Sequence, residues 1–231
     1  MKKLLILICL SHRALIAHEA AENSDFWRSQ VFNYIYQSNH WKETESCSGP
    51  GSTLEATKSL RTMLPAMTTL LNIHTILDAG CGDFNWMKEL NLDLDLYIGV
   101  DIVADLIDRN QARYGNEQRC FLCLDITRDH LPKVEAVLCR DCLIHLSYNE
   151  IMQTIRNFKQ SGITYLFTSN FTRIIANDCD IRTGDYRPIN LQKEPFNFPE
   201  PIISFEELSA EPEMKRHGKR ICVWRIDNIR T

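Results

Sequence analysis

One short segment constrains the fold more than any other part of the sequence. An apolar strand ends at Asp78, the backbone turns at Gly80 and Gly82, and a helix is expected to follow. Glycine permits such a tight turn and lets a ligand approach the backbone where a Cβ atom would block it. Asp101 ends the next apolar strand about 20 residues later, the spacing at which a carboxylate meets a ribose diol. The pattern therefore predicts an α/β fold with a nucleoside-binding site.

Short apolar strands alternate with helical segments from residue 73 onward. Both faces of these strands are apolar, which predicts a parallel sheet covered by helices on both sides. A segment at 202–205 and a late strand at 220–226 are expected to close the sheet as a hairpin-like pair. The earlier strands are predicted at 75–77, 96–100, 121–124, 136–139 and 164–167.

Residues 24–70 are predicted to form two helices, separated by a break rich in glycine and serine. The second helix is expected to begin at a cap supplied by Ser52 or Thr53. Apolar residues recur at helical spacing in both helices, which indicates one buried face on each. These residues are Trp27, Val31, Tyr34 and Ile35 in the first helix, and Leu54, Leu60, Met63 and Leu64 in the second.

The N-terminus has the basic start and the short apolar run, 4–10, of a secretory signal. A bilayer span needs about 20 residues, so this run cannot cross a membrane. A polar break at 11–13 and a poor cleavage pattern favour a leader without signal function. We therefore expect a leader of uncertain role at 1–22, a helical cap or lid at 23–70 and an α/β domain at 71–231. The predicted location is cytoplasmic, and the secretory pathway is the alternative.

The net charge and the cysteine content indicate which binding partners and which redox compartment the protein has. A net charge of −4 provides no basic field, which argues against a nucleic-acid partner. The nine cysteines are spread along the chain, and several lie in apolar runs, so most are predicted to be reduced core residues in a reducing compartment.

Two cysteine pairs suggest a rival zinc site. Cys120 with Cys123 and Cys139 with Cys142 have the spacing of a four-cysteine site. The first pair falls on a predicted strand, where residues three apart point to opposite faces. We therefore assign no metal ligand.

The glycine pattern also bears on the type of cofactor. A dinucleotide site needs a third glycine, so that a helix N-terminus can hold the pyrophosphate. That position is Asn85 here, and the carboxylate of Asp83 in the turn would repel phosphate. An acidic turn suits a cationic ligand, and S-adenosylmethionine carries a sulfonium and an ammonium group. It is the predicted cofactor.

The sequence resembles the class I S-adenosylmethionine-dependent methyltransferases over residues 25–226, in the order and spacing of four strings. The resemblance implies a Rossmann-like, doubly wound, mostly parallel sheet of seven strands with the last one antiparallel. Three longer strings resemble a small branch of that family, in which the segment at 48–52 is part of a lid. The four strings are DAGCG (78–82), GVDI (99–102), LDI (124–126) and CRDCLIHL (139–146), and the longer ones are SGPGS (48–52), GDFNWM (82–87) and TGDYR (183–187).

The resemblance also implies which residues bind the cofactor. It implies one set of residues for each part of the cofactor: Asp78, Gly80, Cys81 and Gly82 for the methionine moiety, Asp101 and Ile102 for the ribose, Asp125 and Ile126 for the adenine, and Arg140 and Asp141 beside the sulfonium.

His145 is the predicted catalytic base. It follows the fourth strand and precedes a capping box of Ser147 and Glu150, at the sheet edge where open α/β folds bind ligands. An imidazole with a pKa of ~6.5 accepts a hydroxyl proton near neutral pH. Asp141 is expected to orient it or to bind the cofactor's ammonium. A packing or cofactor-contacting role for His145 is the alternative.

The acceptor is predicted from polar and aromatic residues near the fifth strand. Hydroxyl-binding side chains mixed with aromatic rings suit a sugar, and Trp86, Asn170 and Arg187 are assigned to substrate binding. The sequence therefore predicts methylation of a small polar acceptor, at a sugar or glycan hydroxyl. The alternatives are a methyltransferase for protein or peptide side chains and a non-catalytic scaffold that binds the cofactor.

Overall fold

The computed structural model of the chain describes residues 27–177, 179–207 and 216–231. Seven strands form one sheet in the order β3-β2-β1-β4-β5-β7-β6. Neighbours among the first five strands pair in parallel, and β7 pairs antiparallel with both β5 and β6. The predicted fold class is confirmed. The strands are β1 (Thr75–Ala79), β2 (Leu96–Asp101), β3 (Arg119–Cys123), β4 (Ala136–Cys139), β5 (Tyr165–Phe171), β6 (Ile203–Glu206) and β7 (Lys219–Arg225).

One strand is longer than its sequence suggests. The prediction ended the fifth strand at residue 167, because Thr168, Ser169 and Asn170 have the composition of a loop. The structure extends β5 to Phe171, and Asn170 pairs with Arg220 of β7. Buried hydrogen bonds satisfy these polar side chains, so the strand continues through them.

The first described helix, residues 27–37 (α1), buries a face that agrees with the predicted one only in part. Trp27 and Tyr34 are 65% and 68% exposed, whereas Arg28 and Ile35 are buried. Arg28 lies inside because two buried carboxylates, Asp125 and Glu150, accept its hydrogen bonds. A periodicity argument that counts only apolar residues misplaces this face by about one residue.

The second helix, α2 (Lys58–Leu70), begins later than predicted. Ser52 ends a short 3-10 turn, and the Thr53 hydroxyl accepts a hydrogen bond from the backbone N–H of Ala56 in the turn before the helix. Neither residue caps α2. Two further helices are α3 (Ala104–Tyr114) and α4 (Tyr148–Gln160), and the predicted capping box of Ser147 and Glu150 begins α4.

No helix follows the glycine turn after β1, contrary to the prediction. Residues 83–95 contain only a 3-10 turn at Met87–Glu89. The Asp83 carboxylate accepts hydrogen bonds from the backbone N–H groups of Asn85 and Cys47, which holds the chain in a turn. Leucines alternate with polar residues at 90–95, a period that does not suit a helix. This turn therefore offers no helix N-terminus to a pyrophosphate.

Two apolar clusters cover the two faces of the sheet. Leu60, Leu64 and Met67 of α2 share one cluster with Leu138 of β4. Residues of α4, such as Ile155, belong to the other. The α2 helix thus covers the sheet directly, and the division of the chain at residue 70 stays a prediction. No helix of the described residues is long and apolar enough to cross a membrane. The predicted leader at 1–22 lies outside these residues.

The cysteines are less uniformly buried than predicted. Cys81, Cys139 and Cys222 are buried, whereas Cys123 and Cys179 are exposed. The two pairs of the rival zinc site lie on β3 and at the end of β4, with β2 and β1 between these strands. Three inter-strand spacings separate the pairs by roughly 14 Å, too far for one shared ion.

Candidate cofactor and acceptor site

A cavity opens at the carboxyl ends of β1 to β4, with about 910 Å³ of empty space, its mouth included. The strand order arranges its residues along the sheet edge, from Asp125 after β3, through Asp101 of β2 and Gly80 after β1, to Asp141 after β4. A second wall comes from the N-terminal part of the chain: Arg28, Phe32, Ile35, Tyr36, Trp41, Cys47 and Ser48.

Asp101 is held at the end of β2 by backbone donors. Its Oδ2 accepts a hydrogen bond from the N–H of Gly82 (3.1 Å), and its Oδ1 accepts one from the N–H of Val103 (3.1 Å). Burial raises the pKa of this carboxyl, and the two N–H groups oppose that rise. Asp101 and Ile102 both line the cavity, beside apolar residues of α3.

Asp125 anchors the β3 end of the cavity to α1. Its Oδ1 accepts hydrogen bonds from the N–H and the hydroxyl of Thr127 (2.9 and 2.7 Å). Its Oδ2 accepts one from Nε of Arg28 (2.9 Å), whose Nη1 also donates to Glu150 at the start of α4 (2.6 Å). Arg28 is 4% exposed. One buried guanidinium therefore joins α1, β3 and α4 around the cavity, next to the apolar side chain of Ile126.

Asp141 forms part of a buried charge cluster at the end of β4. Arg140 and Lys219 both approach its Oδ2, and the Ser169 hydroxyl donates to its Oδ1 (2.7 Å). Glu207 accepts from both cations and completes the cluster. Burial opposes ionisation of Asp141, but Arg140 and Lys219 hold its pKa well below the usual range. The cavity thus has a permanent carboxylate at this end.

His145 is held by the segment at 183–187. Its Nδ1 lies 2.9 Å from the carbonyl oxygen of Asp185, and its own carbonyl accepts the N–H of Gly184 (2.8 Å). A carbonyl only accepts, so Nδ1 carries the proton and Nε2 keeps a free lone pair. Burial lowers the pKa of His145, so the ring is neutral at pH 7. The ring lies between those of Trp41 and Tyr186, with centroids 5.0 and 6.0 Å away.

The segment at 41–53 lies against the glycine turn. Asp83 accepts hydrogen bonds from the Ser46 hydroxyl and the Cys47 N–H (both 2.9 Å), and its own N–H donates to the Ser48 hydroxyl (3.0 Å). A Cβ atom on Gly82, whose φ is +55°, would lie 2.1 Å from Ser48 Oγ. The missing Cβ atom gives the Ser48 hydroxyl the space to pack here, and Gly82 itself also lines the cavity. Asp83 fixes this loop and does not line the cavity.

Several predicted site residues lie behind the cavity wall rather than in it. Asp78 is buried and accepts a hydrogen bond from the Tyr97 hydroxyl (2.6 Å), and burial raises its pKa to about 7. Cys81 is buried beside it. Arg140 donates to the carbonyl of Gly51 (2.7 Å) and to Glu207, so it ties the segment at 41–53 to β4.

The three residues assigned to substrate binding are not brought to the cavity either. Trp86 is 7% exposed and packs under the Arg140 guanidinium. Asn170 is fully buried and accepts the N–H of Leu191 (2.7 Å). Arg187 donates to the carbonyls on either side of His145, those of Ile144 (3.2 Å) and Leu146 (2.7 Å). It positions the backbone that carries the imidazole.

Several solved structures that this chain resembles are methyltransferases. The 1,6-didemethyltoxoflavin-N1-methyltransferase of Burkholderia thailandensis, crystallised with 1,6-didemethyltoxoflavin and S-adenosylhomocysteine, superposes with a TM-score of 0.57 at 16% identity. The match covers 90% of this chain and 89% of that one. The N-methyltransferase NodS of Bradyrhizobium japonicum WM9, in complex with S-adenosylhomocysteine, gives 0.57 at 12% identity over 83% and 97% of the chains. The chain has the Rossmann-like methyltransferase fold.

A third structure agrees with this. The methyltransferase domain of the bacterial CtHen1-C superposes with a TM-score of 0.54 at 14% identity, over 75% of this chain and 98% of that domain. No protein-family model and no curated protein matches the sequence. At these identities the likeness establishes the methyltransferase fold alone, and the chemistry has to be argued from the cavity.

Sequence reasoning missed four residues that shape this site of the methyltransferase fold. Arg28 and Trp41 line the cavity, Lys219 pairs with Asp141, and Glu207 pairs with Lys219. The glycine-rich string at 48–52 pointed to a lid but not to Trp41. The two cations and Glu207 carried no local signal, because a charged side chain is usually exposed and becomes buried only when distant partners meet it.

Proposed function

We propose that this protein is an S-adenosylmethionine-dependent methyltransferase that acts on a hydroxyl group of a small acceptor. The observation that carries the proposal is the row of three carboxylates, Asp125, Asp101 and Asp141, along the sheet edge. Among the described residues that line the cavity, Arg28 is the only Lys or Arg, and two carboxylates already engage it. Such a site favours a cationic nucleoside over a phosphate-bearing one.

The residues present fit this cofactor part by part. Asp101 would hold the ribose hydroxyls, and Asp125 with the apolar side chain of Ile126 would hold the adenine. The permanent carboxylate of Asp141 would face the sulfonium and the ammonium. Gly80 lines the cavity between these residues, so the backbone is accessible to the methionine moiety.

His145 supplies the proton acceptor. When bound, S-adenosylmethionine supplies an electrophilic methyl group that leaves its bonding electrons on sulfur. The acceptor oxygen uses a lone pair to form the new bond to carbon, and its proton passes to Nε2 of His145. Asp185 and Arg187 keep the imidazole in the required tautomer and position. Positioning of this kind is the main task of the protein in a direct displacement.

The walls of the cavity support a small acceptor. Trp41, Cys47 and Ser48 line it on one side and the strand ends line it on the other. A space between two such walls suits a small molecule better than an extended peptide, which counts against a protein or peptide acceptor. The free lone pair of His145 counts against a purely non-catalytic scaffold. The sugar prediction depended on Trp86, Asn170 and Arg187, whose side chains are engaged elsewhere, so the proposal keeps the hydroxyl and leaves out the sugar.

The first test is thermal unfolding of the purified protein with S-adenosylhomocysteine, NAD or ATP. A ligand at 100 times its dissociation constant adds about 2.7 kcal/mol, which shifts the midpoint by several degrees. We expect a shift with S-adenosylhomocysteine only. Asp101→Ala should abolish it, and Asp105→Ala, which removes an exposed carboxylate nearby on α3, should retain it. A shift with NAD or ATP, or none at all, would contradict the proposed cofactor.

The second test separates turnover from binding. His145→Ala should lower conversion of S-adenosylmethionine with small hydroxyl compounds by about 100-fold or more. The dissociation constant of S-adenosylhomocysteine should stay within threefold of the wild-type value. Full turnover in the variant would remove His145 as the base while leaving the cofactor assignment intact.

A further inference from the structure

A rigid aromatic wall stands beside the proposed base. The Trp41 ring lies 5.0 Å from that of His145, and Trp41 lines the cavity. Its other neighbours are the His40 ring, whose centroid is 5.1 Å away, and the backbone of Gly49, whose φ is +93°. A Cβ atom on Gly49 would lie 3.1 Å from Trp41 Cγ. The loop therefore holds the indole directly against its backbone. A flat ring that stacks on such a wall gains binding energy beyond that of the apolar area it buries.

The polar groups near Trp41 have little hydrogen-bonding capacity left. Asp141 is engaged by Arg140, Lys219 and Ser169. The Ser48 hydroxyl accepts from the N–H of Asp83 and donates to its carboxylate. A polyol would bring several hydroxyl groups into this part of the cavity, and each one that is left without a hydrogen-bond partner weakens binding. A ring with one hydroxyl needs only the free Nε2 of His145.

The basicity of His145 favours an acidic hydroxyl. Burial lowers the pKa of this imidazole below its ordinary value, which makes it a weak base. A phenolic hydroxyl has a pKa of ~10, as in tyrosine. A hydroxyl as weakly acidic as that of water would release its proton to this base far less readily.

We infer that the acceptor is a planar ring that carries a phenolic or enolic hydroxyl, and that Trp41 is the surface on which this ring stacks. The inference rests on the proposed function and names the substrate class of the same site. It assigns to Trp41 a role in specificity, since a saturated ring of equal size would lose the stacking contact and the acidity of its hydroxyl together.

The experiment measures binding by calorimetry to the full-length protein saturated with S-adenosylhomocysteine. The probes are 2-naphthol, its saturated analogue decahydro-2-naphthol, and methyl glucoside. We expect 2-naphthol to bind at least tenfold more tightly than either of the others. Trp41→Leu should weaken 2-naphthol binding at least tenfold, and Trp41→Phe should restore most of it. Trp27→Leu is the matched control, because Trp27 is 65% exposed and does not line the cavity.

Three results would overturn the inference: equal binding of the flat and saturated rings, tighter binding of the glucoside, or equal losses in the Trp41 and Trp27 variants. Absence of 2-naphthol binding to the loaded protein would also overturn it. Binding of S-adenosylhomocysteine is measured first and without any acceptor, and again for Trp41→Leu, where it should stay within threefold. A failure at that stage in the wild type concerns the proposed function, so the two failures are distinguishable.

Discussion

Two titratable residues near the sheet edge show that burial lowers the pKa of a base and raises the pKa of an acid. His145 becomes a weaker base because burial disfavours the charged imidazolium, and a neutral ring is the form that accepts a proton. Asp78 becomes a weaker acid because burial disfavours the carboxylate, and its pKa rises to about 7. Only the first of these lines the cavity. The second belongs to the framework behind it, where Tyr97 holds it.

The raised pKa of Asp78 predicts a stability change with pH. In the unfolded chain this carboxyl titrates near pH 4, and in the folded protein near pH 7. Between these values the folded state keeps a proton that the unfolded chain has released, so the free energy of unfolding falls as pH rises. The fall is roughly 1.4 kcal/mol per pKa unit, on the order of 4 kcal/mol in total.

Asp78→Asn keeps a neutral group that can accept the Tyr97 hydroxyl. Relative to wild type, its free energy of unfolding should therefore increase between pH 4 and pH 7, and then stay constant. Urea unfolding of both proteins at pH 4.5, 6 and 7.5 measures the difference. Parallel pH dependences in the two proteins would mean that Asp78 ionises normally in the folded state.

At the scale of elements, α1 depends on a single buried side chain for its attachment to the sheet edge. Arg28 joins Asp125 after β3 to Glu150 at the start of α4. Glu150 also accepts hydrogen bonds from Ser147 and Thr183, so the same connection reaches the segment that holds His145. Loss of Arg28 would thus affect the cofactor end and the acceptor end of the cavity together.

Arg28→Met should destabilise the protein by about 3–5 kcal/mol, because it leaves two buried carboxylates without their cation. It should also weaken S-adenosylhomocysteine binding, since α1 carries Phe32 and Ile35 of the cavity wall. Arg28→Lys keeps the charge but not the planar guanidinium, so its stability and its affinity for S-adenosylhomocysteine should lie between those of the wild type and Arg28→Met. Denaturant unfolding and calorimetry test this, with the exposed Arg113→Met on α3 as control, expected within about 0.5 kcal/mol of wild type. Equal effects of the two Met variants would argue against the role of Arg28.

At the scale of the whole molecule, one charge cluster joins parts of the chain that are far apart in sequence. Arg140 and Asp141 follow β4, Glu207 follows β6, and Lys219 begins β7. Arg140 also holds the carbonyl of Gly51 in the segment at 41–53. The charges of the two cations and the two carboxylates cancel within this buried cluster, so the loss of any one of them should destabilise the protein.

Lys219→Met should cost about 3–5 kcal/mol, because it leaves Asp141 and Glu207 with one cation between them. Adding Glu207→Gln restores the charge balance, so the double variant should be more stable than Lys219→Met alone. Denaturant unfolding of the two single variants and the double variant measures this coupling. Additive losses would show that charge balance does not hold the cluster together.

The sequence alone determined the sheet and most of its edge. Successive strand residues such as Val137 and Leu138 lie on opposite faces of the sheet, and both are apolar and buried. Every parallel sheet that is covered on both sides requires this pattern, so the local sequence is enough to predict it. The glycine turn after β1 and the acidic end of β2 predicted Gly80 and Asp101 for this site, and the family resemblance predicted Asp125 and Asp141. All four residues line the cavity. Carboxyl ends of neighbouring parallel strands meet at one edge.

Only the tertiary structure decided which polar residues face the cavity. Asp83, Asn170 and Arg187 have the composition of ligand-binding loops, but backbone groups brought from elsewhere in the chain satisfy them. Arg28 and Lys219 resemble ordinary surface cations until distant carboxylates surround them. The partners of these buried charges lie far away in sequence, and only tertiary packing brings them into contact. The local sequence shows which chemical groups a residue carries, whereas only the fold determines which groups surround that residue.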